Sequence, residues 1–357
     1  MNTQTHAAIG MRYRIFSERT GLKVSEMALG TGMFGKAWGY GADPDEVHRI
    51  LQGYAAAGGN FIDTADNYQY GESERLIGEF IAPNRDDFVI SSKFSRGVSA
   101  NPALAALGCN RKAMVQAVED SLKRLKTDRI DLYFVHMDDG VTPSDEIARG
   151  LDDLVRAGKI VYAGLSNFPA WRVATTVTLA DLRGWTPVAA IQVEYSLLQR
   201  TTERELLPMA DGLGLGVMGW SPMAGGLLTG KYRKGERGRA TDLKASVLHD
   251  DPNKNAPVLD ALIAIANEIG SNPGRVAVAW VRAKGVFPVI GPRTRDQLDD
   301  NLAAAALKMS DDHFRRLDEV SAVSLGYPHE LLAAAEQRAT MTGNRWDQID
   351  FPERTVA

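Results

Sequence analysis

The stretch F61-I-D-T-A-D-N-Y68 decides how this chain is read. Two apolar residues run into Asp63, and a short polar loop then ends on Tyr68. Further along, F88-V-I-S-S-K93 ends its run on Lys93, and L132-Y-F-V-H136 ends on His136. Side chains so placed emerge where strands give way to loops, which is where a parallel α/β sheet or barrel keeps its chemistry. Singly, each is an ordinary polar strand-end residue. Together they describe a proton donor. A tyrosine hydroxyl, with an ordinary pKa of about 10, is a weak acid near neutral pH. A lysine cation beside it favours the phenolate, an aspartate fixes and balances the ammonium, and a histidine orients a carbonyl oxygen or joins the proton transfer.

Outward from these stretches, short β-rich runs alternate with longer helical patterns. Strands are expected at 27–30, 61–63, 88–92, 130–135, 160–165, 189–193, 216–220 and 286–290. Pro44 marks a helix start, Asn110 caps R111-K-A-M-V-Q-A-V-E, and the run L151-D-D-L-V-R-A-G-K ends its helix at Gly158. Eight repeated βα units imply right-handed crossovers and favour a closed parallel barrel, the (β/α)8 or TIM architecture. Before them, R12-Y-R-I-F16 and L22-K-V-S25 read as a β-hairpin turning at Thr20-Gly21. Helices outside the repeat are expected at 258–269, 275–284 and 310–320, with one more over H329-E-L-L-A-A-A-E-Q-R338. Trp346 is costly to leave in water, so the tail should pack, and packing at the barrel mouth would make it part of a pocket.

F61 to Y68, S91-S-K93, F134-V-H136, G164-L-S-N167, Q192-V-E-Y195 and S221-P-M-A-G-G-L-L-T-G-K231 resemble, in order and spacing, the aldo-keto reductase family, from about residue 12 to about residue 325. The resemblance implies a single (β/α)8 domain over residues 1–357, plugged at the bottom by the hairpin, with 325–357 forming a helix and tail near the mouth. It also implies a nicotinamide dinucleotide and the reduction of aldehydes or ketones, or the reverse oxidation, with Tyr68 giving or taking the proton and Asp63, Lys93 and His136 supporting it. Channel β-subunits resemble the same family, so a cofactor-binding regulatory subunit with little turnover is a second reading.

Two glycine-rich stretches need care. G30-T-G32-M-F-G35 matches the letters of a dinucleotide fingerprint, yet K36-A-W-G-Y-G-A42 prolongs the loop where a helix should start, and no acidic strand end follows about 20 residues on. It reads as the first βα loop, and the resemblance puts Gly30 and Thr31 beside the nicotinamide ribose with Met33 nearby. G225-G-L-L-T-G230-K231 approaches a P-loop, but Tyr232 stands where Ser or Thr should hold magnesium. It makes better sense as a pyrophosphate clamp, a loop whose backbone amides cradle phosphate, over the stretch holding Ser221, Pro222, Met223, Gly225, Gly226, Leu227 and Lys231. Trp220 before it offers a flat face for the nicotinamide.

Ser166, Asn167 and Gln192 are suited to a carboxamide because amides both donate and accept, and the family uses the corresponding residues for the nicotinamide amide. Thr294 and Gln297 read as a capping box. The resemblance adds that Gly291, Arg293, Gln297 and Asn301 hold the adenosine 2′-phosphate and adenine. Gly291 stands where relatives carry a lysine, and Arg293 is the substitute, since a guanidinium grips phosphate well. NADP is therefore favoured, with NAD left open.

Composition excludes several other classes. A net charge of −4 and the lack of clustered Lys and Arg beyond R233-K-G-E-R237-G-R239 argue against nucleic-acid binding. The lone Cys109 suits a reducing compartment. No apolar run approaches a membrane span and the start lacks a leader's pattern, so a soluble cytoplasmic protein is expected, with residues 1–10 loosely ordered. W220-S-P at the seventh strand end lacks a glycosidase's carboxylate, and six histidines with only His136 at a strand end leave no metal set. Trp38, Tyr40, Tyr70, Phe94, Met137 and Trp346 are candidates to line a small-molecule pocket for a carbonyl or alcohol substrate, with Asp138 and Asp139 as contacts to hydroxyls.

Overall fold

The computed structural model describes residues 11–242 and 251–351. The expectations for residues 1–10 and for the end of the tail, 352–357, lie outside the described residues. Two antiparallel strands, β1 (Tyr13–Ser17) and β2 (Thr20–Ser25), come first. Eight parallel strands then close a barrel: β3 (Ala28–Gly30), β4 (Phe61–Asp63), β5 (Val89–Phe94), β6 (Ile130–Val135), β7 (Ile160–Ser166), β8 (Val188–Glu194), β9 (Gly216–Trp220) and β10 (Phe287–Ile290), which returns to pair with β3. Each expected strand is present. Among the described residues no helix is long and apolar enough to cross a membrane.

Strand alternation sets which side chains face the lumen. On β5, Ser91 and Lys93 point inward to Asp63, whereas Ser92 bonds to Glu74 in the helical layer and Phe94 stacks on Tyr133 at 5.4 Å. Phe94 is thus a core residue and not a pocket lining, because a strand cannot show Lys93 and its neighbour to the same side. The bottom of the lumen is filled by Phe16, Phe61, Leu132, Phe134, Met218 and Phe287. Gly164 makes room there: a Cβ on it would lie 2.4 Å from the Phe134 ring.

Helix starts follow local chemistry. Asp43 accepts from the Glu46 amide ahead of Pro44–Ala56, and Asn110 accepts from the Ala113 amide ahead of Arg111–Leu125. Ser144–Arg156 ends just before Gly158, whose φ of 69° continues no helix. The helix expected from 258 begins at Pro252, capped by Asp251, and runs through Pro257 to Glu268. Pro273–Ala283 and Asp311–Val320 match the other two.

Two local expectations are corrected. The hairpin turns at Glu18-Arg19, and Thr20 and Gly21 already belong to β2; the Ser17 hydroxyl accepts from the Arg19 amide and holds the turn one step earlier. The run from His329 forms two helices, His329–Ala333 and Ala335–Thr342, parted by an extended Ala334. Leu331 and Leu332 remain exposed, so no buried face holds the halves collinear, and helices this short depend on packing. His329 bonds to Glu205 at 2.8 Å, on the loop after β8, while Trp346 packs within the tail itself, on Phe351 and under Arg338.

Candidate active site

At the C-terminal ends of β4, β5 and β6, four side chains meet. Lys93 Nζ donates to Asp63 Oδ1 at 2.9 Å and Oδ2 at 2.8 Å and to the Thr64 carbonyl at 2.7 Å, and it is fully buried. Burial opposes the ammonium, but the Asp63 carboxylate and the Tyr68 hydroxyl outweigh it and hold the lysine pKa above its ordinary value. Nζ lies 5.1 Å from the centre of the Tyr68 ring, and the His136 ring stands edge-on to that ring at 5.8 Å. Burial, with Lys93 and Arg96 adding repulsion, pushes the His136 pKa well below the usual imidazole value, so the ring is neutral near neutral pH. Its Nδ1 is buried with no partner among the described residues. Gly32 lies flush against Tyr68, where a Cβ would touch the ring at 3.7 Å.

The amide trio is wired into this group. Gln192 Nε2 donates to Asp63 Oδ1 at 2.8 Å, the only sense in which an amide tolerates a carboxylate, which leaves Oε1 as an acceptor. Asn167 Nδ2 donates to the His136 carbonyl and to Ser166 Oγ, and its Oδ1 accepts from Trp220 Nε1 at 3.0 Å. The ends of β6, β7 and β9 are therefore tied by one side chain. Thr31 is fully buried, its hydroxyl donating to the Asp63 carbonyl and accepting from Ser73, while Gly30 packs on Val289 and Met33 is buried close by.

Beyond β9 the chain winds through a run of left-handed residues, Ser221, Ala224, Gly225 and Gly226. Pro222 is buried, Met223 and Leu227 are partly so, and the amides of Ala224, Gly226 and Leu228 turn back to carbonyls of the same loop. Lys231 reaches back over it, and burial together with repulsion from Arg293 lowers its pKa. The Arg293 guanidinium lies 4.5 Å above the Tyr40 ring and pairs with no carboxylate among the described residues. Two cations held close invite an anion. Gln297 Oε1 accepts from the Arg293 amide and not from Thr294, so the expected box is shifted by one residue. Asn301 is buried on the inner face of the helix Arg295–Leu302, and Gly291 is exposed ahead of it. Arg295 is turned away, bonded to Asp299 and lying over Gly53.

A model of the aldo/keto reductase family matches residues 26–322. The chain belongs to the aldo/keto reductase family. Among curated relatives, an uncharacterized oxidoreductase of Bacillus subtilis is 37% identical, the match covering 85% of this chain and 94% of that protein. A norsolorinic acid reductase of Aspergillus flavus is 34% identical over 90% of this chain and 84% of its own length. An NADP(+) aryl-alcohol dehydrogenase of Phanerodontia chrysosporium is 32% identical, over 90% and 88%. This aldo/keto reductase is an oxidoreductase acting on carbonyl or alcohol groups.

Several expected pocket residues serve the scaffold instead. Asp138 pairs with Arg172 at 2.8 Å. Asp139 accepts from the amides of Cys109, Val141 and Thr142 and from the Thr142 hydroxyl, bonds that outweigh burial and keep its carboxyl well below the usual range. Cys109 is buried against them, its thiol pushed up to about 12 by burial and by Asp139, which leaves no reactive thiolate. Trp38, 6.2 Å from Tyr68 and 6.3 Å from Tyr70, forms an aromatic wall beside the phenol, with Met137 exposed at the rim. The sequence reading overlooked Ser91, although its place two residues before Lys93 puts both on one strand face.

Proposed function

We propose that this enzyme is an NADP-dependent carbonyl reductase, running also as an alcohol dehydrogenase, in which Tyr68 is the proton donor. The observation that carries the reading is the Tyr68 ring with the doubly anchored Lys93 Nζ 5.1 Å and the His136 ring 5.8 Å from its centre. When bound, the cofactor supplies or accepts the hydride at the substrate carbon. Tyr68 gives its proton to the carbonyl oxygen, and Lys93, held by Asp63, stabilises the phenolate left behind. His136, uncharged, orients that oxygen. The balance is one hydride and one proton added to the carbonyl, with the reduced cofactor oxidised.

Ser166, Asn167 and Gln192 would hold the nicotinamide carboxamide: the free acceptor of Gln192 suits its amide hydrogens, and the Ser166 hydroxyl, already accepting from Asn167, has its own hydrogen to give. Trp220 supplies the stacking face, and the loop Ser221–Leu227 with Lys231 the phosphate clamp. Arg293, which pairs with no carboxylate among the described residues and sits beside Lys231, supports a 2′-phosphate and hence NADP over NAD, and one relative is named for NADP. The name of one relative, an aryl-alcohol dehydrogenase, together with the Trp38 and Tyr70 wall, supports aryl alcohols and the matching aryl aldehydes as substrates. The described chain is taken as one catalytic domain in the cytoplasm, with 325–351 beside the mouth. Multiple-turnover oxidation of NADPH with a reactive aryl aldehyde tests the function, and a tightly bound cofactor without turnover would favour a regulatory subunit instead.

A further inference from the structure

We propose that Ser91 is a positioning residue for the proton donor, setting how much of the Lys93 charge reaches Tyr68. It rests on the assignment of Tyr68 made above. Ser91 is the direct ladder partner of Asp63, and its hydroxyl donates to Asp63 Oδ1 at 2.6 Å. The same oxygen accepts from Lys93 Nζ at 2.9 Å and from Gln192 Nε2 at 2.8 Å, whereas Oδ2 has Lys93 Nζ at 2.8 Å. Ser91 and Lys93 are fully buried, and Asp63 and Gln192 are nearly so. Water has no access to replace a lost donor, so each bond to the carboxylate counts.

The consequence is electrostatic. Asp63 holds Lys93 in place and also cancels part of its charge. Every other donor on Asp63 spreads the negative charge and leaves more of the ammonium's field for the phenolate that forms on Tyr68. Without the Ser91 hydroxyl, Asp63 keeps Gln192 and Lys93 alone, draws the ammonium more tightly, and supports the phenolate less. Ser91 touches neither substrate nor cofactor atoms in this reading and acts only through Asp63.

The strand supplies its own control. Ser92, next in sequence and equally buried, donates to a carboxylate at the same 2.6 Å, but to Glu74 in the helical layer. Ser91→Ala and Ser92→Ala therefore remove the same kind of bond from opposite faces of β5. The expected result, with NADPH and an aryl aldehyde, is that Ser91→Ala lowers kcat about tenfold, a bond to a charged group being worth about ten- to a hundredfold and only part of it reaching the transition state. The alkaline limb of its kcat profile should move to higher pH, with NADP affinity unchanged. Ser92→Ala should leave the limb where it is. Ser91→Cys, which keeps the branching with a larger atom and a weaker donor, should move the limb the same way by less, and it carries the test should Ser91→Ala not fold. A wild-type limb in the Ser91 variants, or equal effects from both serines, would overturn the proposal. If Tyr68→Phe kept full turnover, the assignment of Tyr68 would fall first; loss of turnover in Tyr68→Phe with an unmoved limb in the Ser91 variants would sink the Ser91 proposal alone.

Discussion

Tyr68 carries the sharpest consequence at the scale of single residues. Tyr68→Phe keeps the ring that packs against Trp38 and His136 and removes only the hydroxyl. General acid catalysis contributes about 10² to 10⁴ in rate, so kcat should fall by that order while NADP titrates as in wild type. Wild-type turnover would remove the phenol from the chemistry. Arg293 is the second test. Losing a charged hydrogen bond to phosphate should weaken NADP binding about ten- to a hundredfold and spare NAD, which has no 2′-phosphate. Paired titrations of Arg293→Ala decide it. Equal losses for both cofactors would mean that the side chain supports the helix start and does not read the phosphate; Arg295, bonded to Asp299, is then a poor substitute.

At the scale of elements, strand ends and the loops that leave them hold the strain as well as the chemistry. Ser95, Asn167 and Ser221 follow β5, β7 and β9 with φ of 120°, 56° and 55°, and Gln69 and Tyr70 sit at 49° and 52° in the loop after β4. Such residues cost about 1–3 kcal/mol each, and here they lie around the barrel mouth. The Trp220 to Asn167 bond joins two of these ends, and substitution separates it from the stacking proposed for Trp220. Trp220→Ala should weaken NADP binding by about 1 kcal/mol through lost stacking, whereas Trp220→Phe keeps a ring and should bind nearly as wild type. Equal losses from both would assign the effect to the Asn167 bond. The loop after β4 also buries Asp66, whose Oδ1 has no partner among the described residues and whose pKa is raised to about 8, chiefly by burial and then by Glu74. The folded chain therefore keeps a proton there that the unfolded chain, with a carboxyl of about 3.9, has lost. Stability from this group is present below about pH 4 and is lost as pH rises toward 8. Asp66→Asn mimics the protonated form, so its thermal midpoint should fall less than that of wild type between pH 5 and pH 8. Strand positions were legible because β-rich runs alternate with helical periodicity; Asp63, Lys93 and His136 were legible because each closes such a run, and Tyr68 because it ends the short polar loop that leaves Asp63. Directions were less so. Phe94 and Ser91 needed the period of two to be carried through Lys93, Asp138 and Asp139 are engaged by local turns and Arg172, and the Gln192 to Asp63 bond joins residues 129 apart.

At the scale of the whole molecule, the barrel divides its work between two ends, chemistry at the mouth and closure at the bottom. Phe16 of the hairpin sits inside the closed end, its ring 5.5 Å from Phe61 and 5.4 Å from Phe287. The fit is close: a Cβ on Gly216 would lie 2.6 Å from the Phe16 carbonyl oxygen. Arg19 then ties the turn to the Leu213 carbonyl at 2.6 Å and to Asp181 at 2.9 Å. Phe16→Ala would empty this plug and should destabilise the fold by about 3–5 kcal/mol, read as a lower midpoint in heat or denaturant. Phe61 nevertheless lies only two residues before Asp63 on the same face of β4, so a slack bottom has a short path to the site. If the closed ring of hydrogen-bonded strands holds Asp63 in place regardless, the folded variant will keep wild-type kcat and NADP affinity below its new midpoint. Losses in kcat matching the loss of stability would show instead that the plug sets the position of Asp63, and through it the Lys93 ammonium, from the far end of the barrel.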